Sequence, residues 1–571
     1  MCGWTDKNSP IPVLVRCFRA NKILQILVPL SLAIIALSSY LNVLATNSFS
    51  ATNTLYSRSK YADGFESFKL SLGIVFTHYF FSQLSEFISK VCSLVVFKAF
   101  LCESVNKYTQ LDYSEFHMKG SAKIQDNISR SSRAAREVSI ALFFEIPKAI
   151  IEFIFSFWSI YNLLNPKHFG IFIALFYVCV IFAFFIAFYA YKNDKMNIFL
   201  YKKSFTPLAD ILHNYDIMKA FNKERREARV YSDSLKPFVK RSQSFQACNA
   251  MLLFIQKTVL FLPHVYVFYN TSQGVVVWRS GESSLNLQEL LEYNSFFNSL
   301  KKSVIALRDK VFILIKEMAE MKSDLSFSSK SDISETGLIS KKSFDLSIRL
   351  RNVDLYAGNN LIQKNQSLII NKGDKIAITG VNGAGKSVFI KTLLKFFKNE
   401  GEFYIDDILV ENISSKSLRE LIAYVPQDPH IFNNTVLYNL GYSQKNIDEK
   451  KIHEYCQAFG LHEFFKSMRD GYYTESGEKG KYLSGGQKQR ISFMRAVIKD
   501  APIIVMDEPT ANIDRTSELD LINKILTLCN DKTFILIVHN HDLLKKFDRI
   551  LYFTKEGIIG YDSYEQFANR S

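Results

Sequence analysis

Apolar residues follow two regimes along this chain. Through roughly the first half they gather in long runs, Ile23 to Ala45, Val138 to Leu164, His168 to Tyr191 and Cys248 to Tyr269, each about the 20 residues that a bilayer-crossing helix needs. Beyond position 348 the runs shorten, as at Lys375 to Thr379 and Pro502 to Met506, and alternate with helical stretches, the pattern of buried parallel strands in an α/β domain. Another helix, around Phe68 to Phe100, is interrupted by His78, Gln83 and Glu86. Lipid disfavours such groups by several kcal/mol, so they are expected to face a protein interior or a water-filled path.

From Leu285 to Lys316 no continuous apolar run exists, but an apolar stripe from Leu287 to Leu314 lies opposite a polar one of Gln288, Glu292, Ser295, Ser299 and Lys302. In a soluble protein this pattern reads as a surface helix. After five candidate crossings it predicts a sixth, lining a cavity, which keeps the N-terminus and the second half on one side. Two long polar loops hold short amphipathic helices at Asp112 to Met118 and Ile211 to Asn222, placed to dock on a soluble domain. A serine-rich stretch then marks a linker. The expected organisation is an all-α six-helix transmembrane domain at 1–321, a linker at 322–347 and an α/β P-loop nucleotide-binding domain at 348–571.

Composition sharpens this division. The chain is 48% hydrophobic yet 22% charged, with a mean hydropathy of +0.02, as two unlike domains averaged together would give. Lys and Arg outnumber Asp and Glu 70 to 55, and the excess sits in the two long loops, including Lys119, Lys123, Arg225 and Arg226. That placement fits loops held on the positive side of a membrane rather than a nucleic-acid surface, so no nucleic-acid partner is expected. The 8 cysteines are scattered without a Cys-x-x-Cys pair, which excludes a zinc site of that type and a disulfide framework.

The second half carries the chemistry. Gly380-Val-Asn-Gly-Ala-Gly-Lys-Ser387 follows an apolar strand and opens a helix. In such a phosphate loop the backbone N–H groups of Gly380, Asn382, Gly383, Ala384 and Gly385 turn inward, Lys386 reaches the β/γ oxygens and Ser387 offers its hydroxyl to Mg2+. Gln427 ends a strand where it can reach the metal and the attacking water. Leu483-Ser-Gly-Gly-Gln487 opens a further helix, placing Ser484, Gly485, Gly486 and Gln487 at its N-terminus. Asp507 closes an apolar strand and suits Mg2+, Glu508 suits the general base, and His539 follows the strand FILIV, within reach of a γ-phosphate.

The order of phosphate loop, Gln427, LSGGQ, Asp507-Glu508, Asp514 and His539 resembles the nucleotide-binding domain of ATP-binding cassette (ABC) transporters. Thr474-Glu-Ser-Gly-Glu-Lys-Gly480 looks like the exporter-type X-loop, and with six helices ahead of it the chain resembles a type I exporter half-transporter. The resemblance implies ATP and Mg2+, Asp514 at the nucleotide, and a dimer in which Ser484 and Gly486 of one copy close over ATP held by Lys386 of the other. A homodimer is the natural reading, with a different half-transporter as the alternative partner.

HNYDIMKAFNKERREARVYSDSLKPF, IFNNTVLYNLGY and FHMKGSAKIQDNISRSSRAARE are similar to segments of the mitochondrial ATM-type half-transporters. That likeness implies small-molecule cargo of the glutathione or sulfur type, export that supports iron-sulfur assembly, and a mitochondrial or mitosomal inner membrane. Gln256 matches a glutathione-contacting glutamine of that family, although the partner asparagine position holds Leu253. Arg130 and Arg133 stand near the family's loop arginines, with Asp126 ahead of them. Pocket chemistry adds Glu292 and Lys302. Tyr356 stands one residue before the position of the adenine-stacking aromatic, and no Arg-rich, Ser-rich leader precedes the first helix.

Two other readings accompany this one. The first is an exporter of peptides, lipids or drugs at a plasma or vesicle membrane, for which Asn270-Thr-Ser on an outer loop would be a glycosylation site. The second is a nucleotide-gated regulator that transports nothing, for which a damaged catalytic set would be expected.

Overall fold

Long helices make the first unit, and their seams are built from small residues. The computed structural model describes residues 15–16, 18–57, 59–111, 113–178, 180–181, 185, 188, 200, 206–273, 275, 277–279, 287–325, 338–509, 515–538 and 540–569. It divides into two units, 1–110 with 121–329, and 111–120 with 330–571.

Helices α1 (Lys22–Ser57) and α2 (Tyr61–Thr109) run antiparallel. Ser31 meets Ser85 at 3.4 Å, Ser38 meets His78 at 3.0 Å and Thr52 meets Ser67 at 2.7 Å. Small hydroxyl side chains allow the close approach that membrane helix pairs need, where no hydrophobic force separates helix from lipid. After α3 (Tyr113–Lys119), helix α4 (Ser121–Ile140) passes through a π-helical turn at Ala141–Glu145 into α5 (Ile146–Leu163). Pro147 explains the turn, because it has no N–H for the helix ladder and the preceding residues widen to accommodate it.

Beyond α6 (Pro166–Val178) come α7 (Thr206–His213), α8 (Tyr215–Ala220), α9 (Glu224–Val259), α10 (Leu262–Ser272) and α11 (Leu287–Leu325). By length and apolar composition alone, two described helices qualify to cross a bilayer, Lys22–Tyr56 and Glu224–Ser272. The unit has two cores. Leu24, Val28, Cys92, Val96, Phe100 and Ala135 fill one. Aromatics fill the other, where Phe172, Trp278, Tyr293 and Phe297 are almost fully buried.

The helix of α11 begins where the sequence pattern places it and buries Phe297, Leu300 and Val304 as expected. The sequon differs from its expected loop setting. Asn270 and Thr271 lie in the last turn of α10, where the Asn270 amide donates to the Tyr266 carbonyl at 2.9 Å and Thr271 is buried.

The second unit has two sheets. Strands β1 (Ser347–Ala357), β2 (Asn360–Asn371), β4 (Asn399–Ile405) and β5 (Ile408–Leu409) form an antiparallel sheet in the order β2-β1-β4-β5. The other sheet has the order β10-β9-β3-β8-β7-β6, from β3 (Lys375–Gly380), β6 (Ile422–Val425), β7 (Ile503–Asp507), β8 (Thr533–Ile537), β9 (Arg549–Phe553) and β10 (Ile558–Tyr561). It is parallel except for β10.

Alternate residues of this sheet feed opposite faces. Ile504 and Met506 join the core that receives α13 (Gly485–Ile498), whereas Ile503 and Val505 join the core that receives α12 (Lys386–Leu393). Helix α3 belongs to this second unit, where Tyr113 stacks on Phe396 with ring centroids 4.2 Å apart. Asp406 ties the segment before β1 to the antiparallel sheet, pairing with Lys341 at 2.6 Å and accepting from the N–H groups of Leu346 and Ser347.

Candidate functional site

The phosphate loop is shaped by its neighbours before any ligand is considered. Gly380 has φ +129°, and a side chain there would sit 2.2 Å from the Phe553 carbonyl of β9, so only glycine fits. Gly385, the N-cap of α12, has φ +97° and is pressed by Ile362. Gln363 of β2, which the sequence did not single out, donates to the carbonyls of Ala384 and Thr554, each at 2.6 Å. That amide fixes the loop between the two sheets. Asn382 and Gly383 form the exposed tip, and Ala384 is buried.

Lys386 is buried and donates to the carbonyls of Gly380 (2.9 Å) and Val381 (3.3 Å). Burial pulls its ammonium below the ordinary lysine range. Ser387 donates to Asp507 at 3.0 Å, and burial at the end of β7 pushes the Asp507 carboxyl above its usual range. A hydroxyl and a carboxylate held together are the hard oxygen donors that Mg2+ prefers, so the residues present fit that ion. Glu508 follows in the left-handed region, φ +47°, and its carboxylate accepts from the Gln427 amide at 2.9 Å.

Ser484 caps α13 reciprocally: its hydroxyl accepts from the Gln487 N–H and the Gln487 side chain accepts from the Ser484 N–H. Ser484 and Gly485 are exposed, and Gly486 is partly so. Tyr356 donates its hydroxyl to Glu400 of β4 at 3.0 Å. Asp514 and His539 lie outside the described residues, as does the side chain of Gln256 on α9.

A profile of the ABC transporter family matches residues 363–511, which contain the phosphate loop, the capped signature helix and Asp507-Glu508. These residues form a nucleotide-binding domain of the ABC transporter family. Its fold is that of an Atm1-family exporter, because a bacterial Atm1-family ABC exporter solved with ATP bound superposes with a TM-score of 0.84 at 21% identity, covering 96% of this chain and 97% of that one. The human mitochondrial iron-sulfur clusters transporter ABCB7 is 29% identical over 357 residues, 60% of this chain and 46% of its own length. The ABC transporter ATM1 of Plasmodium falciparum is 38% identical over 210 residues, 37% of this chain and 20% of that protein. The chain therefore spans less than half the length of those curated relatives.

The candidate cargo residues are dispersed over three helices. Arg130 pairs with Asp126 and Arg133 donates to the Ser129 carbonyl, both on α4. Glu292 of α11 accepts from Gln288 at 3.0 Å. One cavity in the helical unit has walls from Ser295 and Ser299 of the polar stripe, but not from Arg130, Arg133, Glu292 or Lys302. Of its remaining polar walls, from α1, α2 and α5, His78 is one of the groups that the sequence pattern turned toward a protein interior or water-filled path, whereas Asn42 and Glu152 carry no such signal.

Proposed function

We propose that this ABC transporter chain is an ATP-driven exporter acting as a homodimer, with glutathione-linked or other sulfur compounds as its cargo. The observation that carries the reading is the pairing of Ser387 with Asp507 and of Gln427 with Glu508 beside an intact phosphate loop. Gly380, Asn382, Gly383, Ala384, Gly385 and Lys386 would cradle the phosphates of ATP. Ser387, Asp507 and Gln427 would hold Mg2+, which supplies charge neutralisation at the β/γ oxygens. Glu508 orients and deprotonates the attacking water, with His539 on the γ-phosphate side.

Two features support a second copy. Ser484, Gly485 and Gly486 present an N-terminal helix end to solvent, ready to cover phosphates on another chain. On α9, Val230, Val239, Met251 and Phe254 are exposed. Such a surface needs lipid or protein over it. The signature residues would contribute only in the closed, nucleotide-bound dimer, which gives ATP the differential contacts required to shift the chain between states. The name of the human relative supports a mitochondrial membrane and iron-sulfur-linked export.

The test is ATP turnover by purified protein in lipid discs, with reduced, oxidised and persulfide glutathione added and Glu508→Gln as blank. Saturable stimulation that weakens in Gln256→Ala is the expected result. Basal turnover unmoved by all three compounds would remove the sulfur cargo and leave the exporter.

A further inference from the structure

The cavity in the helical unit lies where α1, α2, α5 and α11 meet, lined by Asn42, Thr46, His78, Glu152, Ser156 and Ser299 among others. Most of these groups already have partners. Ser156 donates to Ser299 at 2.9 Å, Thr46 donates to the Asn42 carbonyl at 3.0 Å, and His78 Nδ1 lies 2.8 Å from the Ser38 carbonyl. With Nδ1 donating there, His78 keeps Nε2 as an acceptor.

Glu152 is different. It is half-buried, makes no ion pair within 4 Å among the described residues, and has the exposed Lys148 and Lys302 ammonium groups and His78 as its charged neighbours. The π-helical turn that leads into α5 shows what a structural carboxylate looks like: its Glu145 pairs with Lys310 of α11 at 2.7 Å. Acid and base thus stand at two levels, and at only one level do they join. An ionisable side chain kept unpaired at membrane depth is costly, so a partner is expected.

The geometry points to Glu152 as the ammonium-binding half of a subsite for an α-amino-acid head group, with Lys148 and Lys302 taking its carboxylate. The acceptor set at Glu152, His78 and the hydroxyl walls suits a three-donor ammonium, and the two lysines stand outside the cavity lining yet close enough to Glu152 to act on its charge. This subsite rests on the exporter reading and names the chemistry of its cargo. It requires a free amine and a free carboxylate, and no sulfur.

The experiment measures the rate at which a hydrophobic carbodiimide labels Glu152 in the full-length protein in lipid discs, read by peptide mass spectrometry. Norleucine, N-acetylnorleucine and norleucine amide are the probes. Norleucine at about ten times its half-protecting concentration should slow labelling about tenfold. Its N-acetyl derivative should not slow it, and Lys302→Ala should lose the preference for norleucine over its amide. Equal labelling with and without norleucine, equal protection by the N-acetyl form, or a Glu152 that the reagent never reaches would each overturn the subsite.

Oxidised glutathione, tested for ATPase stimulation in wild type and Glu152→Gln, separates the two readings. Protection by norleucine with no response to oxidised glutathione removes the sulfur cargo and keeps the subsite. Stimulation equal in both proteins, without protection by norleucine, removes the subsite and keeps the cargo.

Discussion

The nucleotide unit and the helical unit hold their polar side chains in opposite ways. Around the phosphate loop each candidate catalytic side chain among the described residues has a fixed partner, Ser387 on Asp507, Gln427 on Glu508, Lys386 on loop carbonyls, and backbone angles that few residues tolerate. In the helical unit polarity is spread along the seams as hydroxyls, and Glu152 is left without an ion pair among the described residues. Chemistry on a fixed substrate needs exact placement of a few atoms. Passage of cargo needs a surface whose contacts can be made and given up.

The largest effect that would break this contrast is expected at Glu508. Glu508→Gln should lower phosphate release at least about 100-fold while nucleotide binding persists, the usual scale for loss of a general base. Wild-type turnover in that variant would show that the fixed partnership is structural only.

Gly380→Ala comes next, because its Cβ would meet a backbone oxygen of β9 rather than a side chain able to move. A loss on the order of 3 kcal/mol, read by thermal or denaturant unfolding of the full protein, is expected. A variant that unfolds with the wild type would mean that β9 gives way.

Asp406→Ala should cost about 3 kcal/mol, since it leaves Lys341 buried without its counter-charge. Burial alone would raise the Asp406 carboxyl, but Lys341 and the N–H groups of Asp345, Leu346 and Ser347 outweigh it and hold the carboxyl below the usual range. Because the folded value is the lower one, the stabilisation is present above about pH 4, the unfolded value, and disappears as pH falls through the folded one. Melting of the wild type should therefore drop more steeply below that pH than melting of Asp406→Asn. Parallel curves would show that the pair does not couple to folding.

The smallest effect belongs to the helical unit. Glu145 and Lys310 are each about a third exposed, so Glu145→Gln should change stability by less than about 1 kcal/mol. A change as large as that of Asp406→Ala would erase the distinction between the units.

The same contrast explains what could be read in advance. Phosphate-loop glycines, the Ser484 capping box and the strand ending in Asp507 are local devices, written within a few residues of where they act. Helix α11 was legible because its stripe repeats at helical spacing. Gln363 and Asp406 were not, because each acts on a segment distant in the chain: Gln363 meets Thr554 across 191 residues, and Asp406 meets Leu346 across 60. Nothing in their own neighbourhoods marks them. The cavity at Glu152 draws on four helices, and its residues share a site only through the packing of the bundle.

The grip of β9 on the phosphate loop also sets an order of events during synthesis. The Val381 N–H bonds to the Phe553 carbonyl and Gln363 bonds to the Thr554 carbonyl. Both anchors are translated long after the loop itself and after every described helix of the first unit. A nascent chain can thus insert its helices and form most of its strands while the phosphate loop still lacks its floor. Competence for nucleotide arrives late, and on the proposed exporter reading a half-made chain is kept from spending ATP before there is a membrane path to drive.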